Sequence, residues 1–511
     1  MCKPQSVLKF SGLGAFSKAP KKKPKGDFNI MEKQRTKILY ITSEALPFAA
    51  TGGLGDVAGS LPAALKKKGI NIRVAMPLYS SIKQEYRDKM QLVCEIEVPL
   101  SWRNQYCGVY KLTYGGVIFY FIDNEYYFKR ESMYGSFDDG ERYAFFSRAI
   151  LEMLPAIKFF PDILHTNDWQ SALCSVYLKT AFSADERYNR IKSIHTIHNI
   201  DYQGIYDMSI LYDVFGIPGE YSSLVEYNGA INLTKGAIQC CDILSTVSPK
   251  YAQEIQTPQY SSGLHFILCP NKDKIRGILN GIDDKYYNPE LDNDLYVKYN
   301  SNTLEGKAEN KRLLQKELAL PERADVPLIV MITRLASHKG IDLVTCVMHD
   351  LLKADVQFAV LGTGEKQYED FFKSDEAEHP DKVRAILRFD KAFSKKMYAA
   401  ADIFLMPSKS EPCGLAQMIA SRYGAVPLVR ETGGLFDSIK YYNKDTDTGN
   451  GYTFANYNAH DMLYVLWEAI GQYNYGKEEW VRLVKKIMNI DFSWNASANE
   501  YIKMYNEVLG L

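Results

Sequence analysis

Lys37–Thr42 (KILYIT) is followed by the turn Thr51-Gly52-Gly53-Leu54-Gly55-Asp56, and the run Val426–Val429 (VPLV) is followed by Thr432-Gly433-Gly434-Leu435. Short, continuously apolar runs suit parallel strands buried on both faces. A glycine turn beyond such a strand lets backbone approach a ligand closely, and the N-terminus of the helix it opens favours an anion. Neither turn has the G-x-G-x-x-G spacing of a dinucleotide fingerprint, and either one alone is compatible with a plain tight turn. The same four residues in the same strand–turn–helix context at both ends of the chain predict two βα halves. If the halves face each other, both helix N-termini point into one cleft, which suits a ligand with one or two phosphates.

Outward from the first turn, a helix is expected from Asp56 to about Lys68, closed by Gly69, then a strand Ile72–Met76. Residues 92–130, rich in Val, Tyr, Phe and Gly, are expected to form inserted antiparallel strands. Parallel strands return at Asp162–Thr166, Ser193–Ile197, Ile243–Val247 and Ile275–Leu279, with a helix from about Ser171. A polar helical stretch, Asn300–Asp325, leads to a second series at Leu328–Thr333, Gln357–Leu361, Ala385–Arg388, Ile403–Met406 and Val426–Val429. Alternating βα units imply parallel sheets with right-handed crossovers, and ligands then sit beyond the carboxyl ends of the strands.

At 511 residues the chain is long enough for two or three domains. The 61 Lys and Arg balance the 61 Asp and Glu, so no global field favours nucleic acid or an anionic membrane as a partner. No apolar run reaches the roughly 18 residues needed to cross a bilayer. The 36 Tyr suit sugar faces and wet clefts as a population, although surface packing accounts for most single tyrosines. Nine cysteines without a C-x-x-C pair argue for reduced thiols and a cytoplasmic setting. Residues 1–36 form a basic leader, with seven Lys and no acid before Asp27. It is read as a disordered tail or as preceding a start at Met31; a plastid-type targeting segment is the alternative.

Three further motifs lie just past predicted strands. Arg334-Leu-Ala-Ser-His-Lys339-Gly340 places two cations ahead of a helix, a planar fork and a mobile point charge suited to phosphate. Ser410-Glu411-Pro412-Cys413-Gly414-Leu415 puts a carboxylate at a helix start, where it either caps or grips sugar hydroxyls. His165-Thr-Asn-Asp168-Trp169 and His195-Thr-Ile-His198-Asn199 crowd the ends of two strands with polar groups. A metal site from His165, Asp168, His195 and His198 is the rival there, but nothing in the spacing forces the roughly three ligands to converge. Asn280-Gly281-Ile282-Asp283 ends the first series in a similar turn.

Together these segments, with Tyr134–Arg142 and Thr246–Pro249, closely resemble the bacterial glycogen synthases and plant starch synthases, glycosyltransferase family 5, from about Lys37 to the C-terminus. The resemblance implies an α/β GT-B fold: two facing Rossmann-like, doubly wound domains with a C-terminal helix crossing back. It implies an acceptor-side domain at 37–300, a nucleotide-sugar domain at 301–490 and a returning helix at 491–511. It implies a retaining hexosyltransferase that moves glucose from ADP-glucose to the non-reducing end of an α-1,4-glucan, with neither metal nor organic cofactor. By the same resemblance Arg334 and Lys339 hold the diphosphate, Glu411 binds glucose hydroxyls, and Asp168 and His198 shape the sugar pocket. Thr51, Gly52, Gly53, Asp56, Asn280, Cys413, Gly414, Leu415, Thr432, Gly433 and Gly434 complete the donor site, and Phe389 stands where the family often places Tyr against the base. Two departures stand out: Ala50 replaces the Lys that commonly precedes the first Thr-Gly-Gly-Leu, and Ile419 stands where many retaining GT-B enzymes carry a second Glu. A catalytically weak glucan-binding regulatory protein on the same fold, or a UDP-glucose-using enzyme, are the competing expectations.

Overall fold

The structure is a computed structural model and describes residues 35–511; the basic leader lies outside the described residues. Its first sheet has nine strands, in the spatial order 275–277, 243–246, 192–197, 163–167, 37–41, 71–77, 117–123, 103–114, 91–100. The first seven pair in parallel, and the last two continue the sheet as antiparallel strands. The insertion expected at 92–130 is therefore a meander at the sheet edge, whose third strand joins the parallel core beside Asn71–Pro77. The second sheet is wholly parallel, in the order 383–386, 357–361, 328–332, 403–406, 426–430, 452–454.

In each sheet the strand order reverses beside the first strand of the series. In the first sheet Lys37–Ile41 has the chain's next parallel strand, Asn71–Pro77, on one side and Ile163–Asn167 on the other. In the second, Leu328–Ile332 lies between Gln357–Leu361 and Ile403–Met406. Loops that leave the carboxyl ends at such a reversal diverge to opposite faces and leave a crevice between them. The loops in question are 42–52 and 167–169 in one sheet, and 333–340 and 407–415 in the other. Sheet topology thus selects the same segments that the motifs single out.

Several boundaries differ from the sequence reading. The first helix begins at Gly53, which puts Asp56 in its first turn. The strand expected at Ala385–Arg388 is Val383–Ile386. Arg388 N–H turns back to the Ile386 carbonyl at 3.0 Å, and the Asp390 side chain caps the next helix by accepting from Phe393 N–H at 2.9 Å. The chain therefore has to leave the sheet earlier than its apolar run does. Ile275–Gly277 is shorter than expected, and Gly277 passes against the Ser248 carbonyl, leaving no room for a side chain there. Tyr452–Phe454, a three-residue edge strand, is too short to carry a period-2 or apolar-run signal.

The polar stretch before the second sheet forms helix Glu305–Glu317, and its polarity is partly internal. Lys307 Nζ donates to the carbonyls of Ala399, Ala401 and Tyr423, and Lys311 pairs with Asp402 at 2.8 Å. Such polar anchors are tolerated inside because each donor is satisfied. The last helix, Trp494–Leu509, lies on helix Gly53–Lys67 of the first series. Trp494, Tyr501, Met504 and Tyr505 are buried in the core of the first sheet, and Tyr505 OH reaches His165 Nδ1 at 2.9 Å. The chain's end is thus fastened beneath the first crevice.

Candidate active site

At the crevice of the second sheet, Lys339 Nζ donates to Glu411 Oε2 at 2.7 Å, bridging the two loops that diverge from the reversal point. Ser408 Oγ donates to the same oxygen at 3.1 Å. Glu411 is buried, so the pair sits where water screens little. Arg334, on the same loop as Lys339, is exposed and makes no salt bridge among the described residues. His338 between them is held below the usual imidazole range by burial and then by the neighbouring Lys339 and Arg334 cations.

The two Thr-Gly-Gly-Leu turns are built alike in one respect that the sequence did not reveal: each wraps a carboxylate of the protein itself. Glu44 accepts from Thr51 N–H at 2.7 Å, Thr51 Oγ1 at 2.6 Å, Gly52 N–H at 3.1 Å and Tyr134 OH at 2.8 Å. Glu254 accepts from Gly433 N–H at 3.0 Å and Thr432 Oγ1 at 3.2 Å. These donors, expected to face a diphosphate, are engaged within the protein here. Gly434 N–H is also engaged, by the carbonyls of Glu411 and Pro412. Glu44 follows a strand and Glu254 ends a helix, and neither forms a motif with its partner in sequence. Only the 179 residues of separation between Glu254 and Gly433, closed by folding, make them a pair.

In another respect the turns differ. A Cβ on Gly433 would lie 2.0 Å from the Glu411 carbonyl oxygen, and one on Gly434 would lie 2.1 Å from that of Cys413. These glycines let the Glu411 loop lie directly on the turn. A Cβ on Gly52 or Gly53 would meet nothing within 4 Å. Gly434→Ala is therefore expected to destabilise the fold and abolish activity together. Gly52→Ala should leave the thermal midpoint within about 1 °C, the scale of a surface change within ±0.5 kcal/mol. Thermal melts with paired rate measurements check this; a Gly434→Ala protein as stable as wild type would contradict the packing account.

Facing these loops across the cleft, Asp168 takes φ 53° and ψ 178°, a strained backbone region otherwise nearly confined to glycine, and accepts from His198 N–H at 2.7 Å. Burial pushes its carboxyl up to about 7, opposed by the backbone N–H groups of His198 and Asn199. The Asn167 amide fixes the tautomer of His198. Asn167 Nδ2 donates to the Ile41 carbonyl, so its Oδ1 is an acceptor, taking Tyr40 OH and His198 Nε2, both at 2.9 Å. His198 therefore carries its proton on Nε2 and leaves Nδ1 as the basic nitrogen. Burial lowers its pKa to about 3, so it is neutral at pH 7. His165 and His195 hydrogen-bond Thr196, Tyr505 and Thr166 in the core, at the base of the crevice. Among the described residues no three His, Cys, Asp or Glu side chains are grouped as metal ligands.

Contacts between the halves close the remaining geometry. Ser248 Oγ donates to the Pro412 carbonyl at 2.8 Å, and Lys250 N–H donates to Asp437 at 2.7 Å. Asn280 lies against the buried Cys413 thiol, which burial pushes up to about 12, so Cys413 is a packing group and no nucleophile. Asn280 Oδ1 is buried without a hydrogen-bond partner among the described residues. Gly414 takes φ 72°, and Leu415 precedes helix Ala416–Arg422, which carries Ile419. Asp56 is raised by burial, with Lys391 of the second half opposing and Glu44 adding to the shift. Phe389, two residues before Lys391, is 89% exposed at the rim. Ala50 is exposed, and Gly55 leaves space for its methyl.

Two facing doubly wound sheets, with an acid–cation pair at one crevice and a neutral His beside a buried Asp at the other, define a GT-B glycosyltransferase. Residues 37–269 match the family model described as starch synthase catalytic domain, and residues 315–469 match glycosyl transferases group 1. The chain is 47% identical to a glycogen synthase of Geobacillus thermodenitrificans (strain NG80-2) over 475 residues, covering 93% of this chain and 98% of that one. It is 49% identical to a glycogen synthase of Clostridium novyi (strain NT), covering 92% and 99%. The solved catalytic domain of starch synthase IV from Arabidopsis thaliana, bound to ADP and acarbose, superposes with a TM-score of 0.85 at 35% identity, covering 93% of this chain and all of that one. The chain belongs to the glycogen synthase and starch synthase family, and its activity is glucosyl transfer in glycogen or starch synthesis.

Proposed function

We propose that the donor is ADP-glucose and that its glucose passes, with retention of configuration, to the non-reducing end of an α-1,4-glucan. The observation that carries the reading is the Lys339–Glu411 pair at one crevice, set opposite Asp168 and His198 at the other. Breaking the glycosidic bond of a nucleotide sugar builds negative charge on the departing diphosphate. Preorganised cations stabilise that charge without reorganising during the step. Arg334 is exposed to receive one phosphate, and Lys339 turns from Glu411 to another. Glu411, relieved of its cation, accepts hydrogen bonds from glucose hydroxyls.

Asp168 acts by fixing the backbone at His198, and His198 presents Nδ1 to the sugar as a neutral acceptor. Phe389 offers an exposed apolar plane to the base, and a purine covers more of it than a pyrimidine does. The ADP in the Arabidopsis starch synthase IV catalytic domain supports the same donor. The Thr51 and Thr432 turns serve this site as walls whose shape Glu44 and Glu254 hold. Closure of the halves would exclude water, which otherwise competes with the glucan end for the donor.

Nucleotide release with glycogen as primer, with ADP-glucose and UDP-glucose supplied singly and in competition, tests the reading. Primer-dependent release with ADP-glucose preferred is expected. Preference for UDP-glucose would overturn the donor assignment, and no primer-dependent release from either would overturn the whole reading.

A further inference from the structure

A second cleft, of about 740 Å³, lies in the second half on the side away from the active site. It is bounded by the segment Tyr441–Asp445, the start of edge strand Tyr452–Phe454, the C-terminal end of helix Ala459–Tyr475 and the first turn of helix Lys477–Met488. Lys339, Glu411 and Thr432 all sit beyond the carboxyl ends of the sheet strands. Tyr452 begins its strand, and helix Ala459–Tyr475 runs back from the strand's carboxyl end, so this cleft opens at the amino-terminal side of the sheet edge. Its size falls in the range of small-molecule sites, about 300–1,000 Å³.

Its chemistry is specific. Tyr475 is 92% exposed and Tyr441 is 44% exposed. Tyr441 is held edge-on to Tyr452, with ring centroids 5.8 Å apart, and its hydroxyl donates to Glu468 at 2.9 Å. Ring planes of this kind cover the apolar faces of sugars. Glu468, Glu479, Gln472 and Asn443 line the same space and supply acceptors and amide donors for hydroxyl groups. Asp445, Glu468 and Glu479 outnumber Lys444, so the lining repels phosphates and with them any nucleotide. No metal-ligand trio is present among the described residues. A neutral polyhydroxylated ligand fits the remaining requirements. The floor is open at Gly471, inside helix Ala459–Tyr475, where a Cβ would meet nothing within 4 Å. An interior helical Gly costs about 1 kcal/mol relative to Ala, and here its position leaves the floor of the cleft unobstructed.

We propose that this cleft binds a segment of α-1,4-glucan and so tethers the polymer while its growing end occupies the active site. The proposal rests on the glucan-acceptor reading above. Tethering raises the effective concentration of chain ends on a large polymer and does nothing for a primer too short to span both sites.

The test compares wild-type protein with Tyr475→Ala and with Gly471→Leu, which fills the floor. Neither residue takes part in the transfer chemistry; Tyr475 is solvent-exposed, and Leu favours helix over Gly. Each protein is run through native gels containing glycogen, and kcat and KM are measured with glycogen and with maltotriose. Both variants are expected to lose at least 3-fold in gel retardation and to raise KM for glycogen at least 3-fold. Their kcat and their KM for maltotriose should match wild type. Variants retarded as strongly as wild type would overturn the proposal, and so would a wild-type protein that passes unretarded. In either case normal primer-dependent turnover shows that the catalytic reading stands, whereas absent turnover removes that reading too.

Discussion

Lys339→Ala is expected to lower kcat by about 10²-fold or more, close to 2.7 kcal/mol of transition-state stabilisation. Two effects add. The leaving diphosphate loses a cation from a site where screening by water is weak. Glu411 also loses its partner 2.7 Å away while remaining buried, which leaves a carboxylate at the site without its neighbouring cation. Lys339→Arg keeps the charge and should recover part of the loss. The split between constants is diagnostic: a cation that acts on developing charge changes kcat, whereas one that only holds the donor changes KM. Steady-state kinetics at saturating glycogen checks this, and an unchanged kcat would remove Lys339 from the chemistry.

Glu254→Ala is expected to weaken the fold by about 2–3 kcal/mol and to lower kcat about 10-fold without the residue touching substrate. Glu254 is a positioning residue. It belongs to helix Pro249–Glu254, which follows a strand of the first sheet, yet its carboxylate holds Thr432 Oγ1 and Gly433 N–H beyond a strand of the second. Gly433 in turn supports the Glu411 carbonyl. Removing the carboxylate leaves a buried N–H and a buried hydroxyl unpaired and frees the turn on which the Glu411 loop rests. Glu254→Gln keeps an acceptor for Gly433 and should recover most of the stability. If Glu254 instead competed with the donor for the Gly433 N–H, Glu254→Ala would lower KM for ADP-glucose and leave kcat intact. Thermal melts together with donor saturation curves separate the two outcomes.

Much of this architecture is legible in the sequence because parallel strands buried on both faces read as short apolar runs, and Lys37–Thr42, Leu328–Thr333 and Ile403–Met406 are such runs. Boundaries set by capping escape that reading: Val383–Ile386 ends where Asp390 begins to cap a helix, which the apolar residues themselves do not announce. The pairing of Lys339 with Glu411 follows from topology once both are placed past strands flanking one reversal. Glu44 and Glu254 escape the sequence because a carboxylate that fills a glycine turn has no fixed spacing from it. For the same reason the Thr-Gly-Gly-Leu repeat does not announce that each turn holds a protein carboxylate.

Glucose labelled in the donor, incubated with glycogen and then digested by an exo-acting enzyme specific for α-1,4-linked non-reducing ends, tests the central claim most directly. Before digestion no label should be present as free glucose when primer is saturating, and all incorporated label should then be released from the polymer by that enzyme. Label that resists digestion, or that appears as free glucose in place of polymer, would contradict retained transfer to a glucan end in this cleft.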